Sequence, residues 1–468
     1  MIALSLAEIA AVVGGQTHDI PDPSVQVTGP VVRDSREVQP GSLFVAFVGE
    51  RVDGHDFANA VVEAGAVALL ASRPVGVPAI VVDDVQSALG ALARHVVRRL
   101  GATLVALTGS AGKTSTKDLI AQVLARKAPT VFTPGSFNNE IGLPLTALSA
   151  TDETRFLVLE MGARGIGHIR YLTDLTPPKI GLVLNVGTAH IGEFGGREQI
   201  AQAKGELVEA LPADGAAILN ADDPLVRAMA SRTKAKVILF GESGEADVRA
   251  ENVRLTDSGQ PAFSLHTPSG CSEVTMRLYG EHHVSNALAA AAVAHELGMS
   301  ADEIATALSE AGSLSRWRME VTERPDGVTI VNDAYNANPE SMRAALRALA
   351  AMGKGRRTWA VLGKMAELGD EALAEHDAVG RLAVRLNVGK LVAVGGREAS
   401  WLQLGAYNEG SWGEESVHVS DAQAAVDLLR SELRPGDVVL VKASRSVGLE
   451  SVAQALVEAG TEGEVAAR

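Results

Sequence analysis

The chain has 468 residues, a net charge of −15 and one cysteine, Cys271. That length exceeds one ordinary core and sets an expectation of two to four domains. The acidic balance, with no basic patch, argues against a nucleic-acid partner. A lone cysteine allows neither an intrachain disulfide nor a cysteine metal cluster and suits a reducing compartment.

Residues 1–15 carry no basic leader. Ser5-x-x-Glu8 reads as a helix start and Gly14-Gly15 as its stop, so a small structural helix is predicted and not a signal peptide. No apolar run reaches the ~18 residues that a membrane span needs, and a soluble cytoplasmic protein is expected. Strands at 41–49, "VALLAS" and "AIVVDD" then alternate with helices at 55–66 and 85–100, and Gly101 ends the last of these. An N-terminal α/β domain over 1–100 follows.

A second unit, 101–313, opens with "TLVALTGSAGKT": strand, glycine loop, then helix through Arg126. Buried strands follow at "RFLVLEMG", "IGLVLNVG", "AAILNADD" and "KVILFG". Continuous Val/Ile/Leu runs separated by helices predict a mostly parallel sheet covered on both faces. Residues 245–280 read as antiparallel strands, and "NALAAAAVAHELG" as a helix. The third unit, 314–468, has strands at "VTIVNDAYN", "TWAVLGK", "KLVAVGG", "ESVHVSD" and "DVVLVKAS". These predict a five-stranded open α/β sheet, with ligands beyond the carboxyl ends of its strands, and a frayed tail after Gly460. The fold class is α/β throughout.

The loop "TGSAGKTSTK" (108–117) lies between a hydrophobic strand and a helix, the setting a phosphate loop requires. Its glycines, Gly109 and Gly112, stand closer together than in the common G-x-x-x-x-G-K-[ST] pattern, which would need a glycine at Leu107. Backbone N–H groups of Gly109, Ser110, Ala111 and Gly112 can curl around phosphates at a helix N-terminus. Lys113 can reach the β- and γ-phosphates, and Thr114 can hold Mg²⁺. Glu160 ends a buried strand of the same sheet, where a metal-holding acid belongs, although alone such a residue is equally a surface glutamate. His190, just beyond another strand, is by itself more often structural than a ligand. Lys204 shares a helix with Glu206 and Glu209 and reads as a solvated lysine. In the third unit Asp333, Tyr335, Asn336 and Asn338 at one strand end, and Lys442, Ser444 and Arg445 at another, mark a cleft facing the central unit; the first group could equally be only a helix cap.

Together these stretches resemble the Mur ligase family over nearly the whole chain. "TGSAGKTSTK" is similar to that family's own shortened phosphate loop. "SFNNEIGLP", "LEMGARGIGHI", "NVGTAHIGEFG", "AKGEL", "NADD", "SRWRMEV", "NDAYNANPESM" and "VKASRSVGLE" fall in its order. The resemblance implies an N-terminal domain for a UDP-linked substrate, a central P-loop ATPase domain and a C-terminal Rossmann-like domain. "NDAYNANP" resembles the branch that adds D-Ala-D-Ala to UDP-N-acetylmuramoyl-tripeptide in peptidoglycan precursor synthesis, and the DNPR signature of the ligase that adds the third peptide residue is absent. An ATP-dependent amide ligase, working as a monomer with two Mg²⁺ ions, is therefore expected. Folylpolyglutamate synthase, or a nucleotide-gated binding protein without ligase activity, is the alternative.

By the same resemblance Lys113, Thr114 and the adjacent Ser115 would serve the ATP phosphates, with Thr114 and Glu160 holding one Mg²⁺. His190 and an N-carboxylated Lys204 would hold the other. Asn286 would face adenine, Arg318 the phosphates and Asp333 the ribose, with Tyr335 and Asn336 beside them. Ser35 and Arg36 match the UDP-end motif; Asn138 and Asn139 match the substrate-facing loop, and Lys442, Ser444 and Arg445 line the cleft. Three residues depart from the family pattern: Lys364 where an acid is usual, His283 where asparagine is usual, and Ala443 where glycine is common.

Overall fold

The computed structural model describes residues 1–188 and 191–466. Three main sheets follow one another along the chain. The first has five strands drawn from residues 16–81, in which Val31–Val32, Leu43–Val45, Ala68–Ala71 and Ala79–Val81 run parallel, and Gln16–His18 adds an antiparallel edge. A two-stranded ribbon, Leu4–Ser5 with Gln26–Val27, stands beside it. The helix predicted at the start is Leu6–Val13: Ser5 Oγ accepts from Glu8 N at 3.1 Å, and Gly14 closes it with φ 65°. Only half of the expected capping box forms, because the Glu8 carboxylate turns to Arg99 instead.

The second sheet has nine strands. Six of them, through Lys236–Gly241, are parallel: Thr103–Thr108 sits near the middle between Phe156–Glu160 and Ile180–Val183. Val248–Leu255 joins this sheet in parallel and then turns into an antiparallel meander with Pro261–Thr267 and Gly270–Thr275. The antiparallel reading of 245–280 holds for that meander, which extends the central sheet and is not a separate layer. The third sheet has six strands and not the expected five. Glu320–Glu323 pairs antiparallel with Thr329–Asn332 at its edge. Three half-buried residues and an exposed one, two of the four being glutamates, leave no hydrophobic run to read from sequence. The tail is also more regular than expected, since helix Glu450–Ala466 runs on past Gly460. Among the described residues no helix is long and apolar enough to cross a membrane.

The two seams between the sheets differ in kind. Helix Val85–Arg99 places Leu89, Leu92 and Val96 in the same apolar core as Leu143, Leu148 and Leu172 of the second unit. Gly90 faces Leu175 so closely that a Cβ there would lie 2.9 Å from its Cδ2. The third unit builds its own cores on the two faces of its sheet, shares little of the second unit's core beyond Tyr279, and meets the phosphate loop and its neighbours through hydrogen bonds of Asn338, Glu340 and Arg318. Apolar burial makes the first seam stiff, whereas a polar seam is one that domains can open.

Within the third unit Trp359 is fully buried. Its Nε1 donates to Asp437 Oδ2 at 3.0 Å, and the Arg357 guanidinium lies 5.0 Å from its ring centre. Trp359→Ala is expected to lower the stability of this unit by about 3–5 kcal/mol, read from the shift of its urea transition. A shift below about 1 kcal/mol would show that this cluster is not central to the core.

Candidate active site

The carboxyl ends of the second and third sheets face one another across a cavity of about 1020 Å³. Residues 109–112 form a loop between the strand Thr103–Thr108 and the helix Lys113–Ala125, and Gly112 caps that helix at φ 80°. The left-handed backbone favours glycine there, and a Cβ would lie 2.7 Å from Asn286 Oδ1 and push that amide aside. The loop is pinned by a residue that sequence reading passed over. Asn185 Oδ1 accepts from the N–H groups of Ser110 and Ala111, both at 2.9 Å, and its Nδ2 donates to Ala111 O at 3.1 Å. Its only signal was a polar residue closing the hydrophobic run "IGLVLN". Lys113 Nζ folds back to Gly109 O at 2.8 Å. Burial pushes its amine below the ordinary lysine value, Glu160 opposes that shift, and Arg318 adds to it.

Glu160 is 1 % exposed, and its two oxygens are held from different segments. Thr114 Oγ1 donates to Oε2 at 2.9 Å and Asn138 Nδ2 to Oε1 at 2.7 Å. No lysine, arginine or histidine forms an ion pair with it among the described residues. Ser136 Oγ lies 2.9 Å from Thr114 Oγ1, so hydroxyl and carboxylate oxygens converge there. This hard-oxygen set fits Mg²⁺.

Lys204 corrects the reading from helix position alone. It is 5 % exposed and lines the cavity, not the solvent. Burial lowers its amine well below the ordinary value, and the Lys113 charge adds to the effect. Glu206 faces away and accepts from Gly167 N at 2.6 Å and Arg170 N at 3.0 Å, capping the helix His168–Leu175. His190 lies outside the described residues. Lys117, the last residue of the loop motif, is fully buried. It donates to Thr133 O at 2.7 Å and pairs with Asp118, whose Oδ2 accepts from Ser315 N at 3.1 Å. The phosphate-loop helix is thereby tied to the segment leading into the third unit.

From the third unit, Arg318 donates to Thr114 Oγ1 and Ser136 Oγ, both at 3.2 Å, while its guanidinium stacks 4.1 Å from the Tyr335 ring centre. Asp333 Oδ2 accepts from the buried Lys442 at 2.6 Å, and Asn336 O accepts from the same amine at 2.9 Å. Ser444 Oγ accepts from Ala366 N at 2.8 Å, and Arg445 pairs with Glu450 at 2.6 Å. Asn338 Nδ2 reaches Ser110 O at 3.3 Å, and Glu340 Oε1 accepts from Thr188 N at 2.8 Å and Thr188 Oγ1 at 2.9 Å. The third unit therefore rests directly on the phosphate loop.

Ser115, Asn139 and Asn286 also line this cavity. Asn139 Oδ1 accepts from Gly142 N at 2.9 Å at the start of a helix. Ser35 and Arg36 do not line the cavity; they form a short helical turn in which Arg36 is exposed and paired with Asp34. Of the three departures, Lys364 is neutralised by Glu398 at 2.6 Å, so its charge does not act alone. Ala443 is buried against Gly363, which leaves room for its methyl group. His283 is buried 4.2 Å from His282, and neither of its ring nitrogens has a partner among the described residues. Burial holds His283 well below the ordinary histidine value and brings His282 down to about 4, so both rings are neutral at pH 7.

Phosphate loop, buried acid and a third unit closing over them define an ATP-using ligase of the P-loop type. Family models agree over three stretches: the Mur ligase family, catalytic domain, at residues 31–97; the Mur ligase middle domain at 107–294; and the Mur ligase, glutamate ligase domain, at 317–445. The chain belongs to the Mur ligase family. It is 51 % identical to the UDP-N-acetylmuramoyl-tripeptide–D-alanyl-D-alanine ligase of Mycobacterium tuberculosis strain H37Rv, over 99 % of this chain and 100 % of that one. The crystal structure of MurF from Acinetobacter baumannii superposes with TM-score 0.87 at 32 % identity, covering 97 % of this chain and 99 % of that one. MurF from Thermotoga maritima, solved in complex with ADP, gives TM-score 0.80 at 30 % identity, covering 93 % and 99 %.

Gly112→Ala is expected to weaken ATP binding by about tenfold or more, because the left-handed backbone and the Asn286 contact shift the loop from its binding form. Titration calorimetry with a non-hydrolysable ATP analogue reads this, with circular dichroism as the control for folding. Unchanged affinity would show that the loop does not carry the phosphates.

Proposed function

We propose that this protein joins D-Ala-D-Ala to UDP-N-acetylmuramoyl-tripeptide, converting ATP to ADP and phosphate in peptidoglycan precursor synthesis. The single observation that carries this reading is full-length identity of 51 % to a relative bearing that name, and the cavity supplies the chemistry. We take it to work as a monomer, and its dependence on ATP suits the cytoplasm. A folate ligase or a non-catalytic nucleotide switch is less consistent with that full-length match.

The terminal carboxylate of the tripeptide attacks the γ-phosphorus, the bond to the ADP oxygen breaks, and an acyl phosphate forms. The D-Ala-D-Ala amine then adds to the acyl carbon, loses a proton, and phosphate leaves. Both steps bring negative groups together, so positioning and fixed positive charge supply most of the acceleration. Lys113 and Arg318 face the transferred phosphoryl group, and the loop N–H groups hold the remaining phosphates. Asn286, Asp333, Tyr335 and Asn336 hold the nucleoside, and Asn138 fixes Glu160 from the peptide side.

Thr114 and Glu160 would hold one Mg²⁺, and His190 with Lys204 a second, the ions neutralising phosphate charge when bound. Lys204 fits this role only as an anion. Its buried amine is held well below the ordinary lysine value, which favours the neutral form. That form can add to CO₂, forming an N–C bond and releasing one proton. A cation thereby becomes a carbamate with two hard oxygens.

ADP release in the presence of ATP and the UDP-linked tripeptide is expected to depend on D-Ala-D-Ala. Release that ignores this dipeptide and follows a single amino acid would overturn the assignment. Lys204→Ala is expected to nearly abolish turnover with folding intact, and small carboxylic acids are expected to restore part of it. Full activity of this variant at low bicarbonate would remove the carbamate from the reaction.

A further inference from the structure

The acceptor substrate is anionic and so is the chain, so the substrate needs locally free positive charge. Most cavity cations are already engaged: Arg318 is bonded to Thr114 and Ser136, Lys442 to Asp333, and Arg445 to Glu450. Arg33 and Arg164 also line the cavity, and neither guanidinium forms an ion pair among the described residues, although the neighbouring Asp34 carboxylate feels the charge of Arg33. They belong to different units. Arg33 follows the strand Val31–Val32 and crosses to the second unit, where its guanidinium lies over the Phe137 ring at 5.8 Å. A guanidinium held by its face keeps its in-plane N–H groups available for an oxyanion.

Phe137 leads directly to Asn138, whose carbonyl accepts from Gly162 N at 2.9 Å. Arg164 stands two residues further on, with His168 and Tyr171 on the same wall. One continuous surface thus runs from Arg33 through Phe137 and Asn138 to Arg164. Asn138 ties that surface to Glu160. Arg164 is four residues from Glu160, so their Cα atoms are at most roughly 14 Å apart. The diphosphate of the substrate is separated from its reacting carboxylate by the sugar, the lactoyl group and three amino acids. The carboxylates of the peptide stem lie much nearer to that reacting end.

We propose that Arg33 and Arg164 form a two-sided clamp for the non-reacting carboxylates of the peptide stem. This rests on the ligase reading above. The two arginines are positioning residues: they hold the stem so that its terminal carboxylate points at the phosphate loop.

The test compares Arg33→Ala, Arg164→Ala and the double variant with the wild type in steady-state ADP release. Probes are UDP-N-acetylmuramoyl-tripeptides ending in lysine or in meso-diaminopimelate, which carries one carboxylate more. Each single variant is expected to raise KM for the tripeptide substrate about tenfold, the value of one hydrogen-bonded ion contact. The KM for ATP and for D-Ala-D-Ala should stay within twofold, and lysine at either position should restore part of the loss. Calorimetry with UDP-N-acetylmuramic acid, which lacks the peptide, should give equal affinities for wild type and variants. An equal loss for that fragment would assign the arginines to the diphosphate and overturn the clamp. Unchanged KM for both tripeptides with an active wild type would overturn the clamp alone. A wild type without D-Ala-D-Ala-dependent ADP release would overturn the ligase reading itself.

Discussion

The site is organised around one buried carboxylate. Taking Glu160 out of water costs several kcal/mol unless its charge is answered by hydrogen bonds or a cation. Its answers come from separate segments: the Thr114 hydroxyl on the phosphate-loop helix and the Asn138 amide on the next loop. Arg318, from the third unit, bonds to the same Thr114 hydroxyl. Glu160 therefore fixes where the loop, the peptide-facing segment and the closing unit must meet. A cation placed there answers the carboxylate and the phosphates together, which gives the burial of Glu160 a function.

The two seams have different strengths for a reason tied to this geometry. The first unit shares an apolar core with the second through Leu89, Leu92 and Leu148, so Arg33 and the phosphate loop keep a fixed relation. The third unit meets the loop through Asn338, Glu340 and Arg318, by hydrogen bonds that water can replace. A seam of this kind is one that domains can open to admit substrates and close to exclude water, and in the closed arrangement Arg318 sits on Thr114 and Ser136. The Lys117–Asp118 pair and its bond to Ser315 N keep the connecting segment anchored.

What was legible in the sequence follows from what has a period or a fixed spacing. The buried strands were continuous apolar runs, and the loop and Glu160 followed from their places at strand ends. The edge strand Glu320–Glu323 had no such run. Lys204 was misjudged from its helix because Glu206 and Glu209 beside it suggest solvent, whereas tertiary packing buries that face; only family resemblance assigned it a role. Asn185 and Arg33 meet partners distant in sequence, Ser110 with Ala111 and Phe137, and no local pattern marks them. Ser35 and Arg36 lie outside the cavity described, so the UDP end of the substrate is carried by resemblance alone.

The central claim is that the phosphate acceptor is the peptide carboxylate. It is tested most directly by labelling both oxygens of that carboxylate with ¹⁸O and recovering the phosphate after one round of ligation. Attack on the γ-phosphorus followed by amide formation transfers one labelled oxygen to phosphate, and mass spectrometry of the released phosphate should show one ¹⁸O per molecule. Phosphate released without label, alongside normal amide product, would contradict the account.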